Sequence, residues 1–169
     1  VSHHEKRRAT GRSSFFAILN IFLLIYSIHE PTSRLALHMK GMVIMRDITK
    51  EELNVILENH KHWLNGDIDG WEKMRADLSY TNLEGADLSG AELHHANLYC
   101  ANLKGANLSG AYLLRAFLYR ANLYCANLIG ADLSGANLKD ANISGADLSG
   151  ANLKDANLEG AIMILYLRD

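Results

Sequence analysis

The sequence predicts an all-β solenoid whose N-terminal end is capped by a short α-helix. Two features carry that expectation. From Ala76 to Gly160 the chain runs in an unbroken frame of seventeen pentapeptides, with Leu at the centre of sixteen and Ile143 at the centre of the other. Just upstream, residues 49–64 (TKEELNVILENHKHWL) read as an amphipathic helix with its own start signal. A single Pro beside 13 Gly excludes collagen-like and Pro-rich classes. Two Cys are too few for a disulfide scaffold or a four-thiolate zinc site. A net charge of −2 argues against a polybasic nucleic-acid or membrane-surface protein.

Residues 1–45 form the first segment. Lys6, Arg7, Arg8 and Arg12 precede an apolar stretch at 15–28, interrupted only by Asn20 and Ser27. The pattern resembles the basic and apolar regions of a signal peptide. The stretch is short for a membrane span, which needs about 20 apolar residues, and Glu30, Pro31, Thr32 and Ser33 follow it instead of a cleavage site. Three readings stay open: a membrane anchor or signal, an integral part of the fold, or a misplaced start. The last would follow if Val1 were a GTG codon read literally, with Met39, Met42 and Met45 as the nearby candidates for the natural start.

Residues 46–75 should cap the solenoid. Thr49 and Glu52 have the spacing of a capping box. Leu53, Ile56, Leu57, His60, Trp63 and Leu64 recur at helical intervals, and Gly66 lies just past the end. Residues 67–75 link the helix to the repeats, with Trp71 and Met74 expected to plug the core.

Residues 76–165 are the repeats, the unit at 161–165 (AIMIL) being degenerate. On an α-helix five residues advance about 140° beyond a full turn, so successive Leu would scatter around the axis. On a straight strand an odd period would throw them alternately to opposite faces. A chain that turns a corner in every repeat keeps them all inside. Ala sits two residues before every centre except at Thr81, where the coil passes close to its axis. Gly ends nine of the seventeen units, as a corner with a permissive backbone requires. Stacked coils then pair at about 4.8 Å.

Ala-(Asp/Asn)-Leu-X-X repeated in frame resembles the pentapeptide-repeat family. The resemblance covers residues 76 to about 165. It implies a right-handed quadrilateral β-helix with four pentapeptides per turn, hence about four coils and a rod about 20 Å long. It also implies a non-catalytic protein. The reading is a rigid protein–protein interaction scaffold for an unidentified protein partner, located in the cytoplasm, or at a membrane if residues 15–28 are an anchor. The alternative comes from relatives that mimic DNA: a protein that binds DNA gyrase or topoisomerase and confers quinolone resistance. The charge speaks against it. Between Ala76 and Gly160 nine acids face five bases, net −4, whereas duplex DNA of that length would carry about 12 charges.

The C-terminal end, 166–169, follows an apolar run from Ile162. That run either pairs with another chain or folds back as a lid. Some relatives dimerise there, which implies a homodimer through Ile162, Ile164 and Tyr166. Direct nucleic-acid binding is not expected.

No catalytic, cofactor or metal-binding residues are assigned. His60 and His62 are two apart on a helix, and His94 and His95 are adjacent outward residues. Cys100 and Cys125 occupy the same repeat position 25 residues apart, on neighbouring sides of a four-sided coil, and are read as reduced. Asp77, Asp87, Asp132 and Asp147 are read as a solvated exterior. One region departs from this polar surface. Tyr112 and Phe117 replace the usual Asp or Asn, and Tyr99, Leu114, Tyr119, Tyr124 and Ile129 fill outward slots, with Arg115 and Arg120 alongside. These seven apolar residues form the candidate partner-binding patch, because exposed apolar groups rimmed by polar ones mark interaction sites. The competing reading is aromatic stacking that stiffens the wall.

Overall fold

A repeat of five solves the hydrogen-bonding problem of all five of its amides. The computed structural model describes residues 45–66, 70 and 73–164. Within it the unit Ala96–Cys100 is representative. The N–H of Leu98 and that of Cys100 donate to carbonyls of the following turn, Phe117 O at 2.8 Å and Tyr119 O at 3.0 Å. The N–H of Asn97 donates to the preceding turn, at Ala76 O. The N–H of Ala96 closes the corner onto Leu93 O, and the N–H of Tyr99 donates to the side-chain oxygen of Asn97. A buried coil is tolerable only with such complete pairing.

Pairing between turns repeats at twenty residues: Asp77 opposite Asn97, Asn97 opposite Phe117, Phe117 opposite Asn137, all parallel. Each turn of the β-helix therefore takes four units. We number its sides by the units that begin each: side one at Ala76, Ala96, Ala116, Ala136 and Ala156; side two at Thr81; side three at Ala86; side four at Ala91. Leu78, Leu98, Leu118 and Leu138 stack inside side one, each at most 1% exposed. At the far end Leu148, Leu153 and Leu158 are only half-buried. All seventeen corner residues have positive φ, between 53° and 69°. Nine are Gly; at the eight others, Cys100 and Arg115 among them, the side chain makes this conformation costly, about 1–2 kcal/mol each.

The Asn and Asp slots are more than a wetted exterior. Asn102 donates to Asn82, Asn122 to Asn102 and Asn142 to Asn122, one rung per turn along side two. Each Asp of Asp77, Asp87, Asp132 and Asp147 is followed two residues on by a Ser that donates both its N–H and its hydroxyl to the carboxylate. These bonds favour the ionised form and lower the pKa of Asp87 and Asp132.

Ahead of the coil, β1 (Arg46–Asp47) pairs in parallel with β2 (Thr81–Asn82), and Arg46 N donates to Tyr80 O at 2.7 Å. Asp47 accepts from the Asn82 side chain as one more rung, and Ile48 packs on the core like a repeat centre. Residues 46–48 thus imitate one unit stacked above side two, a continuation hidden in the sequence because Arg46 stands where Ala is usual. The helix α1 (Lys50–Asn65) follows. Thr49 accepts from Glu52 N and Glu52 accepts from Thr49 N, and Gly66 closes the helix at φ 62°. Leu53 is buried, and Ile56 and Leu57 pack against the first coil.

His60 fastens this helix. It is fully buried. Its Nδ1 accepts the N–H of Ala76 at 3.1 Å, which leaves Nε2 to donate to His94 O at 3.0 Å. The ring stacks on Trp63 at 5.3 Å, and Trp63 meets His95 edge-on. His94 and His95 are therefore half-buried beside the helix rather than plainly outward. Met74 is half-buried; Trp71, the apolar stretch at 15–28 and Tyr166 lie outside the described residues.

Candidate functional site

The twenty-residue register distributes the seven candidate residues around the rod. Tyr99, Phe117 and Tyr119 share side one. Tyr112 and Leu114 lie on side four, Tyr124 on side two, and Ile129 on side three, opposite the first group. Tyr112, Phe117 and Ile129 are exposed at 49%, 44% and 46%. Tyr99, Leu114, Tyr119 and Tyr124 are half-buried. The patch is thus a girdle, with its densest part on side one and the corner it shares with side four.

On side one the rings form a file along the rod. Tyr80 meets Tyr99 edge-on at 5.0 Å, Tyr99 stacks on Tyr119 at 5.5 Å, and the Arg120 guanidinium lies 5.0 Å over Tyr119. Such contacts contribute about 0.5–1.5 kcal/mol per aromatic pair, so this file also stiffens the wall. A hydrogen bond with the Tyr80 hydroxyl, and then one with Cys100, raises the Tyr99 pKa and keeps its phenol protonated. Tyr80 was not among the residues that the repeat pattern singled out, because it sits at a corner rather than in an outward slot of the middle coil.

Phe117 and Tyr112 differ from the stacked rings. Each occupies an Asn/Asp slot and interrupts a ladder. Neither offers an acceptor to the amide two residues on, so Tyr119 N and Leu114 N lack the bond that Tyr99 N makes to Asn97. Their rings stand in the open, Phe117 under Arg75 at 5.8 Å and Tyr112 beside His94 at 5.6 Å. Cys100 and Cys125 are both free thiols. Among the described residues no helix is long and apolar enough to cross a membrane.

The geometry has counterparts. Residues 74–110, 101–140 and 131–164 match the family profile described as pentapeptide repeats, in eight copies, over more than half of the chain. A crystal structure of the pentapeptide repeat protein Rfr23 from the cyanobacterium Cyanothece 51142 is 40% identical over 53% of this chain and 62% of its own, with a TM-score of 0.52. HetL from Nostoc sp. strain PCC 7120, a pentapeptide repeat protein involved in heterocyst differentiation regulation, is 48% identical over 53% of this chain and 45% of its own, with a TM-score of 0.38. QnrB1, a plasmid-mediated fluoroquinolone resistance protein, is 18% identical over 53% of this chain and 66% of its own, with a TM-score of 0.30, too distant to speak to function. The chain thus spans less than two thirds of the length of the first two. No curated protein sequence matches it.

Proposed function

Because the chain belongs to the pentapeptide repeat family, we propose that it is a non-catalytic binding module: a right-handed, four-sided β-helical rod that presents its middle coils to a protein partner. One observation carries this reading. At Tyr112 and Phe117 the fold forgoes a ladder rung and an amide hydrogen bond, and in return exposes an aromatic ring to water. Each lost bond is worth about 0.5–1.5 kcal/mol, and the rings return only their exposed contacts with Arg75 and His94. A partner that covered it would gain about 1.5–3 kcal/mol per buried side chain. The rod is preorganised, so little freedom is lost on docking.

Two measurements test this. Phe117→Asn alone should raise the stability of the rod by about 0.5–1.5 kcal/mol in urea unfolding, by restoring the amide acceptor. The triple change Phe117→Asn, Tyr119→Ser and Tyr124→Ser should leave a folded rod that no longer captures the partner of the natural chain. Capture of the same partner by the triple variant would make the rings wall packing and end this proposal. Capture of a gyrase subunit by the natural chain, with protection of supercoiling from a quinolone, would move it to the alternative class.

The second copy of the chain is a further proposed partner, through the C-terminal end. Ile162 and Ile164 are each 54% exposed there, and Met163 is 48% exposed. Sedimentation should give a dimer that Ile162→Lys with Ile164→Lys converts to a monomer; a natural chain that stays monomeric at high concentration refutes it. The cytoplasm is the proposed location, a reading supported by the two free thiols.

A further inference from the structure

The upper half of side one, with the corners that flank it, is positive in a rod that is net negative: Arg75, Arg115 and Arg120 stand there against Asp77. Arg75, His95 and Arg115 follow one another at twenty-residue intervals, so they form a column at the corner shared with side four. Arg120 marks the opposite corner of the same side. Two of the coil's lysines are held by a carboxylate one turn away, Lys104 on side two by Glu84 and Lys139 on the lower half of side one by Glu159, each at 2.9 Å. Arg120 stands 3.9 Å from Asp140. Arg75 and Arg115 have no carboxylate within ion-pairing distance among the described residues. Both flank Phe117: Arg75 lies over its ring, and Arg115 is two residues before it. Asp77, the carboxylate of this side's upper half, is engaged by Ser79 and Asn97. On this upper half three guanidinia therefore face one occupied carboxylate, with Asp140 one turn below Arg120, in a rod whose net charge is −4.

We infer that side one docks an acidic protein segment, with carboxylates on Arg75 and Arg115 and an apolar side chain seated on Phe117. This deepens the binding-module reading and rests on it. The fork of a guanidinium matches a carboxylate in two parallel hydrogen bonds. Unpaired charges at the rim of an apolar anchor steer a complementary partner and fix its register. An acidic segment is favoured over a nucleic acid because the remainder of the rod is negative and would repel a phosphate backbone passing along it. The same guanidinia oppose the DNA-mimic reading, which needs carboxylates on the face that is presented.

The test is a selection of random displayed peptides of about twelve residues against the immobilised full chain. Selected peptides are then measured by fluorescence anisotropy against three variants: Arg75→Glu with Arg115→Glu, Arg75→Gln with Arg115→Gln, and Phe117→Asn with Tyr119→Ser. The arginines are exposed corner residues, and a melting curve checks each fold. The expected peptides are rich in Asp and Glu with one aromatic or aliphatic residue. They should bind at least about tenfold more weakly to the charge-reversed and ring variants, and lose affinity as salt rises. Selected peptides that need the rings but are not acidic, or that ignore both arginine changes, overturn the acidic partner and leave the binding module standing. Failure to select any peptide that needs the rings overturns both. A single-stranded oligonucleotide that binds at physiological salt and needs the arginines overturns the acidic segment in favour of nucleic acid.

Discussion

Leu118→Asp should abolish the fold. Leu118 is 0% exposed in the middle of the side-one stack, with its amide donating to Asn137 O at 2.8 Å. Removing a buried Leu costs about 2–5 kcal/mol. Leaving an unpaired carboxylate in its place adds several kcal/mol more. Together these equal about the whole stability of a small domain. Far-UV circular dichroism of the variant should show no cooperative unfolding transition. Leu118→Ile is the control: it conserves volume and should cost less than about 1.5 kcal/mol, as Ile143 already fills one centre in this chain. A Leu118→Asp protein that melts within a few degrees of the parent would mean that the centres do not form a closed interior.

The second large effect belongs to His60. Burial, its first cause, lowers the His60 pKa, and the nearby His94 and Arg75 lower it further against the opposing pull of the bond to His94 O and of Glu92. A folded pKa below the unfolded value means that the unfolded chain binds the proton more readily. The latch is then complete above about pH 6.5 and weakens as pH falls below that value toward the lowered folded pKa. The structural reason is direct, since a proton on Nδ1 would oppose the Ala76 N–H that now donates to it. His95 is shifted in the same direction, chiefly by burial and next by Arg115, and adds to the slope. His60→Ala should cost about 2–6 kcal/mol at pH 8, from two unpartnered backbone groups at about 1–3 kcal/mol each. It should also flatten the loss of stability between pH 7 and 5. Urea midpoints at three pH values decide this, and a parent protein whose midpoint is constant or rises on acidification would sink it. Depressed carboxylates such as Asp87 and Asp132 act only below their own ordinary range, so the two windows separate.

The repeat was legible because its cause is local. Leu, Ala and Gly recur at five for reasons contained in one unit: an interior side chain, a close approach and a corner. The helix at Lys50–Asn65 was legible for the same kind of reason, since Thr49 and Glu52 bond each other three residues apart. His60 was legible only as a member of the helix's inner face. Its partners, Ala76 and His94, lie 16 and 34 residues away, and no spacing rule joins them. The girdle was visible as a composition anomaly, but its division into stacked and open rings needs the register between turns. Phe117 and Tyr119 are two residues apart in adjacent slots of one strand. One breaks a ladder and stands open, the other stacks on Tyr99. Arg46 to Ile48 escaped because the pattern there keeps Asp and an apolar centre while losing the Ala that would have marked the frame.

Two clocks run along this rod, and they tick at different rates. The interior returns to the same state every five residues, the surface only every twenty. A gain or loss of one unit is thus silent to the core, yet it rotates every downstream surface residue by a quarter turn relative to those upstream. Deleting residues 101–105 would carry Tyr119 onto the side before Tyr99 and dissolve their stack without touching a single Leu contact type. The sequence contains a recurrence with such a shift. ANLKD at 136–140 recurs at 151–155, a displacement of three units, which sets the copy one side back from its template. Length variation in this architecture is therefore a means of dialling which surface groups meet, with the hydrophobic interior as an indifferent axle.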